Sequence, residues 1–318
     1  MTRQMRFINF MQYTHRLLRV ITGVVLCQFI LTACSSVNVT KDSVNPDPKA
    51  AETLLKSTGL SVKSVNEALI KAANAIQEGK MDLAQLYYIK GFELQPNNVA
   101  LLQKMVDLYV QLEKYDLAEV SLKLILQQQP NNTRVLEQYG LLLLKQRKYQ
   151  EAKANLGQVI AKQLSWTAYN GLGIIATEEA DLVQAEYLFK KAYRILPNNP
   201  EILNNLGFVL CLADKCQEAI AYYHLALQID PRFKKALDNY ALLQARLGHY
   251  DLAYEAFVKV SSEAEANNNL GYIAMMKGDY DLANNYLQEA IKLSPHYYKK
   301  ANENMKHLEW LVSNKGAN

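Results

Sequence analysis

An alanine returns along this chain at an almost constant interval, and that interval restricts the fold more than any other feature. Ala84, Ala118, Ala152, Ala185, Ala219, Ala253 and Ala283 are separated by 34, 34, 33, 34, 34 and 30 residues. Prolines keep part of the same time. Pro96 and Pro130 lie 34 apart, as do Pro197 and Pro231, and the remaining gaps of 67 and 64 (to Pro295) are close to two periods. A period of roughly 20 to 50 residues marks a stack of small units, none able to bury its apolar face alone. Only 13 glycines and 8 prolines interrupt 318 residues, and half of the residues are apolar. Few breakers over a long apolar-rich chain favour helix. The expected fold is all-α.

The units divide at 65–98, 99–132, 133–165, 166–199, 200–233, 234–263 and 264–297. In the fifth, Leu206, Gly207, Ala219, Tyr223, Ala226 and Pro231 fall at positions 7, 8, 20, 24, 27 and 32. Leu172, Gly173, Ala185, Phe189, Ala192 and Pro197 take the same positions in the fourth. Leu270, Gly271, Ala283, Ala290 and Pro295 match in the seventh. This pattern resembles the tetratricopeptide repeat (TPR). The resemblance implies an α-solenoid of about seven helix-turn-helix units with a C-terminal capping helix. Small residues at 8 and 20 would let paired helices approach, and proline at 32 would stop the second helix because it cannot donate to the backbone ladder.

Departures carry information. The first unit has Lys71 and Ala72 where Leu and Gly are expected, and the third has Leu164 in place of its closing proline. The sixth has lost about four residues around Ser261-Ser262-Glu263, which predicts a shortened second helix or a tight turn. After the last unit, Ala301, Met305, Leu308 and Val312 recur at helical spacing and predict a cap over 298–318, with Trp310 sealing its edge.

The N-terminus is read separately. Arg3, Arg6, Arg16 and Arg19 precede an apolar run from Val20 to Leu31, too short to cross a bilayer comfortably as a helix. This is the layout of a secretory signal. The run ends Leu31-Thr32-Ala33-Cys34, which resembles the bacterial lipobox. The expectation is a signal peptide at 1–33, lipidation at Cys34, and a polar tether and lead-in over 34–64. Ser35 after the cysteine, by resemblance to lipoprotein sorting, favours the outer membrane. Removing residues 1–33 takes away four arginines and no acid, leaving 31 basic and 31 acidic side chains. A balanced chain weakens any case for nucleic-acid binding.

Four cysteines then reduce to two in the domain. Cys211 and Cys216 lie five positions apart without partner ligands, so they are not a zinc motif. They stand as a disulfide or as two buried free thiols, since the Cα separation decides between these. No phosphate loop, HExxH or Gly-x-Ser-x-Gly motif is present. His224, His249, His296 and His307 fall in different units or the cap. The expectation is a non-enzyme without metal or cofactor.

By resemblance to the TPR, positions 2, 5, 6, 9, 12 and 13 of each unit face a groove. Asn170, Asn204, Asp238 and Asn268 occupy position 5, and Asn205, Asn239 and Asn269 occupy position 6. A side-chain amide both donates and accepts, so this row suits the backbone of an extended peptide. It is equally suited to local bridging within the array. Phe208, Leu212, Tyr272, Met275 and Met276 add apolar groove positions. The candidate peptide-binding set is Asn170, Asn204, Asn205, Phe208, Asn239, Asn268, Asn269 and Tyr272. Lysine and arginine do not recur at groove positions, so a basic clamp for an acidic C-terminus is not expected.

One further resemblance rests on the C-terminal run Pro295-His296-Tyr297-Tyr298-Lys299-Lys300-Ala301-Asn302-Glu303-Asn304 together with the lipobox. This combination resembles the TadD-type TPR lipoproteins of tight-adherence (Flp) pilus systems. The resemblance implies an outer-membrane scaffold on the periplasmic face that assists a pilus secretin or another pilus-assembly protein. A type IV pilus pilotin, another envelope-assembly adaptor, or a module serving a catalytic partner are the other readings of the same features.

Overall fold

The structure, a computed structural model, describes residues 61–294 and 298–315. The signal segment, the lipidation site Cys34, most of the tether, Pro295 and His296 lie outside the described residues. Every regular element among the described residues is a helix. They are α1 (Val65–Gln77), α2 (Met81–Leu94), α3 (Val99–Gln111), α4 (Tyr115–Gln128), α5 (Thr133–Lys145), α6 (Tyr149–Lys162), α7 (Trp166–Glu178), α8 (Leu182–Ile195), α9 (Pro200–Leu212), α10 (Cys216–Ile229), α11 (Lys234–Leu247), α12 (Tyr250–Phe257), α13 (Glu263–Lys277), α14 (Tyr280–Lys292) and α15 (Lys299–Lys315). The chain divides into two compact units, one ending at Leu108 and one beginning at Tyr109. No helix among the described residues is long and apolar enough to cross a membrane.

In the first unit α1 lies against α2. Ala68, Ala72 and Ala84 are fully buried there. A side chain on Gly91 would meet Ala68 and Leu101 at 3.0–3.1 Å, so the glycine sets how closely these helices approach. Lys71, in the slot where leucine is usual, turns outward to Glu67 at 2.7 Å and to the carbonyl of Ser61 at 2.9 Å.

The second unit repeats one helix pair. Within each pair the small residue at position 8 receives the bulky one at position 24. A Cβ on Gly207 would lie 2.8 Å from the Tyr223 ring, and one on Gly173 would lie 2.6 Å from Phe189. Tyr223 is buried with Leu203, Leu210, Ala236 and Leu243, so it fills both its own pair and the joint to the next. The first helices α5, α7, α9, α11 and α13 touch in succession, and α15 takes the next place after α13.

Turn and cap chemistry recurs with the alanine period. Between the helices of each pair one residue is left-handed: Gly79, Glu113, Arg147, Ala180, Asp214, Gly248 and Gly278, with φ from 56° to 93°. The residue after each donates its backbone N–H to a carbonyl five positions back, as in Lys114 to Tyr109 and Lys215 to Leu210, at 2.8–3.0 Å. This is the Schellman closure, which satisfies the last carbonyls of the first helix. Ser64, Asn98, Asn132, Ser165, Asn199 and Ser262 cap the following helices through their side chains. Phe233, before α11, makes no side-chain cap.

The sixth pair is irregular, as its missing residues predict. Helix α12 has 8 residues, against 13 or 14 in the other second helices. It closes through Val260 and Ser261, whose N–H groups both reach the carbonyl of Phe257. The cap differs in one respect from its sequence reading. Ala301 and Leu308 are buried, but Val312 is 52% and Trp310 60% exposed. The apolar stripe steps from Leu308 to Leu311, three residues on, which packs near Met275 and Met276. Trp310 instead lies beside His307 on the outside.

Candidate functional site

The position 5 and 6 amides come together as a ladder along the first-helix layer of the second unit. Asn205 Nδ2 donates to Asn170 Oδ1 at 2.9 Å. Asn204 Nδ2 donates to Asn205 Oδ1 at 3.2 Å, and Asn239 Nδ2 donates to Asn204 Oδ1 at 2.9 Å. The chain Asn239–Asn204–Asn205–Asn170 thus ties α7, α9 and α11 in register. A separate rung joins Asn304 of the cap to Asn268, at 2.8 Å.

This divides the set expected from sequence. Asn170, Asn204 and Asn268 are 6%, 4% and 1% exposed, and they bond to other amides of the array. The expectation that position 5 presents free amides to a groove is corrected for these three. A neutral buried amide is costly unless paired, and the repeat spacing supplies a partner amide one unit away. Met275, an expected groove residue, is likewise buried in the core beneath the cap. Asn205, Phe208, Leu212, Asn239, Asn269, Tyr272 and Met276 remain half-buried on this layer. Burial raises the Tyr272 phenol above its ordinary pKa, so its hydroxyl stays protonated at neutral pH.

The structure also reveals an ionic cluster around a buried carboxylate that the repeat pattern did not single out. Glu119 on α4, only 7% exposed, accepts from Lys123 and Lys148, both at 2.7 Å, and from the Tyr139 hydroxyl at 3.3 Å. Burial alone would raise its pKa, but the two lysine hydrogen bonds outweigh this and lower it to about 2. The cluster joins successive pairs. Only its 29-residue reach from Glu119 to Lys148, near the repeat length, could have hinted at it. A hydrogen-bonded knot of Glu137 with the Ser165 and Thr167 hydroxyls ties α5 to the start of α7.

Cys211 and Cys216 face each other across the α9–α10 turn with their sulfurs 3.0 Å apart, and both are free thiols. Burial, reinforced by the Cys216 thiol, pushes the Cys211 pKa up to about 12. Arg246 of the next pair approaches Cys211 Sγ at 3.8 Å and Asp214 at 3.7 Å. His224 meets Tyr240 edge-on, and His249 bonds Gln244. No group of three or more His, Cys, Asp or Glu is placed to hold a metal among the described residues.

With this geometry in place, the likenesses to known proteins become interpretable. Residues 139–200 and 264–297 match two family models, each described as tetratricopeptide repeat. The helix pairs and the matched segments define the class: an all-α TPR solenoid. Among solved structures, a tetratricopeptide repeat protein from Parabacteroides merdae matches with a TM-score of 0.59 at 17% identity, over 77% of this chain and 98% of that one. PilW, described as a widely conserved type IV pilus biogenesis factor, matches at 0.50 with 18% identity, over 75% and 97%. PilF of Pseudomonas aeruginosa matches at 0.50 with 19% identity, over 65% and 97%. At these identities the likeness is one of fold. Among curated proteins, the peroxisomal targeting signal receptor of Saccharomyces cerevisiae is 30% identical over 112 residues, which is 35% of this chain and 18% of the receptor. That of Eremothecium gossypii is 29% identical over 122 residues, 38% of this chain and 21% of the receptor. The matched stretch thus spans about a fifth of either receptor.

Proposed function

We propose that this chain is a protein-binding scaffold, anchored by lipid at Cys34 to the periplasmic face of the outer membrane. It holds an extended segment of a pilus secretin or another pilus-assembly protein. The observation that carries the binding reading is the first-helix layer. Its amide ladder ties α7, α9 and α11 together, and Phe208 on α9 and Asn269 and Tyr272 on α13 stay half-buried along it. Rigid presentation lowers the ordering cost that a binding surface would otherwise meet. The assignment to a tight-adherence pilus rests on the lipobox and on the Tyr297-Tyr298…Glu303-Asn304 run. Lipid would raise the effective concentration of the scaffold at the membrane without adding a contact.

Cys34→Ala at native expression tests this. The expected outcome is a soluble chain that still captures its partner in vitro, with surface pili and assembled secretin multimers reduced at least tenfold in cells. Full assembly by the untethered variant would overturn the anchoring role. In-cell crosslinking of the wild-type chain should enrich secretin or other pilus subunits. Enrichment of β-barrel assembly or cell-wall proteins instead would move the scaffold to another envelope pathway.

A further inference from the structure

The amide ladder is interrupted at one joint, and the interruption leaves a particular set of groups open. Each closed joint follows one rule: a position 5 oxygen accepts from a position 6 amide of the next pair, as in Asn170–Asn205 and Asn204–Asn239. Within the α9 pair of amides, Asn204 also donates to Asn205. The same rule would have Asn269 donate to Asp238, and Asn268 donate to Asn269. Neither bond forms among the described residues. Asn268 Nδ2 is accordingly buried without a partner. The interrupted joint is the one served by the shortened helix α12. Among the described residues the one ion pair of Asp238 is to Lys234, at 3.7 Å, and that lysine side chain is 65% exposed. Burial raises the Asp238 pKa, and the exposed Lys234 beside it offsets this only in part.

The inventory of open groups is unbalanced. Two carboxylate oxygens of Asp238 and the amide oxygens of Asn239 and Asn269 accept, while the donors at the joint are the Asn269 amide and the single Lys234 ammonium, which also donates to the Val260 carbonyl at 3.0 Å. A ligand that completes this site must bring donors, and a cation matches the charge best. We infer that the Asp238–Asn269 joint is a docking point for an extended segment of a partner protein, whose lysine or arginine engages Asp238 while its backbone engages Asn269. This rests on the protein-binding reading above and names the chemistry of the segment it would hold.

The test uses the full-length lipoprotein in detergent, panned against a phage-displayed random dodecapeptide library. Selected peptides are then synthesised with the basic residue intact or replaced by norleucine. Enrichment of lysine or arginine at one position is expected. Asp238→Asn should weaken the basic peptide at least tenfold and leave the norleucine version unchanged, while Asp238→Glu retains preference for the basic form. Asp238→Asn places at this joint the same amide as Asn170 and Asn204, so its thermal midpoint should equal or exceed that of the wild type. That result separates lost binding from lost folding. Selected peptides that bind wild type and Asp238→Asn equally would overturn this inference alone. Failure to select any peptide would overturn both it and the binding reading beneath it.

Discussion

Glu119 shows how a single residue sets the acid limit of this array. Its pKa is lowered in the folded chain, to about 2, while the ordinary value is 4.5. A depressed carboxylate contributes stability that is fully present above the unfolded pKa and is lost as pH falls through the folded one. The loss therefore runs from about pH 5 downward, toward pH 2. Glu119→Gln should flatten the fall in thermal midpoint over that window. At pH 7 it should cost about 1 kcal/mol, modest because Lys123 and Lys148 are partly solvated and one neutral acceptor remains. Thermal melts of both proteins from pH 7 to pH 3 check this; parallel curves would remove Glu119 from the account. The asparagines teach a related lesson. Their spacing was legible, but whether an amide faces a partner protein or the next repeat depends on sub-ångström placement across two helices.

At the scale of the element, the inter-helix turn is the most uniform device in the chain, and composition hid it. Seven turns use a left-handed residue at the same place, yet only Gly79, Gly248 and Gly278 are glycines. Glu113, Arg147, Ala180 and Asp214 adopt it under constraint from the Schellman bonds and the packed helices on either side. An L-residue there costs about 1–2 kcal/mol, and glycine's extra unfolded freedom offsets roughly half of that. Ala180→Gly should therefore stabilise the chain by about 0.5 kcal/mol. Gly278→Ala should destabilise by about 1 kcal/mol, and because no atom lies within 4 Å of the added Cβ the cost is conformational, not steric. Urea midpoints at constant m-value check both signs; equal signs for the two variants would contradict the argument.

At the scale of the molecule, the second unit behaves as a row of pairs, each stabilised by its neighbours. Its C-terminal end is closed by α15, through Leu308 against Ala274, Met275, Ala283 and Leu287. Leu308→Ala should cost about 2–4 kcal/mol at that end. Because contacts in such an array are local, hydrogen exchange should quicken in α13 to α15 and stay unchanged in α4 to α8. Uniform quickening across all these helices would show a fully cooperative unit instead.

The sequence by itself determined the repeat, its length, the pairing of small and bulky positions, and the short second helix of the sixth unit. Each follows from local rules: helical period, breaker placement and the volume that one pair can hold. Only the tertiary structure decided which side chains those rules leave free. It paired Asn170, Asn204 and Asn268 with other amides, brought Glu119 to Lys148, and turned Leu311 inward in place of Val312. Among the described residues it also formed no hydrogen bond between Asp238 and Asn269. These outcomes depend on the offset between neighbouring pairs, a distance that no residue in a single pair encodes.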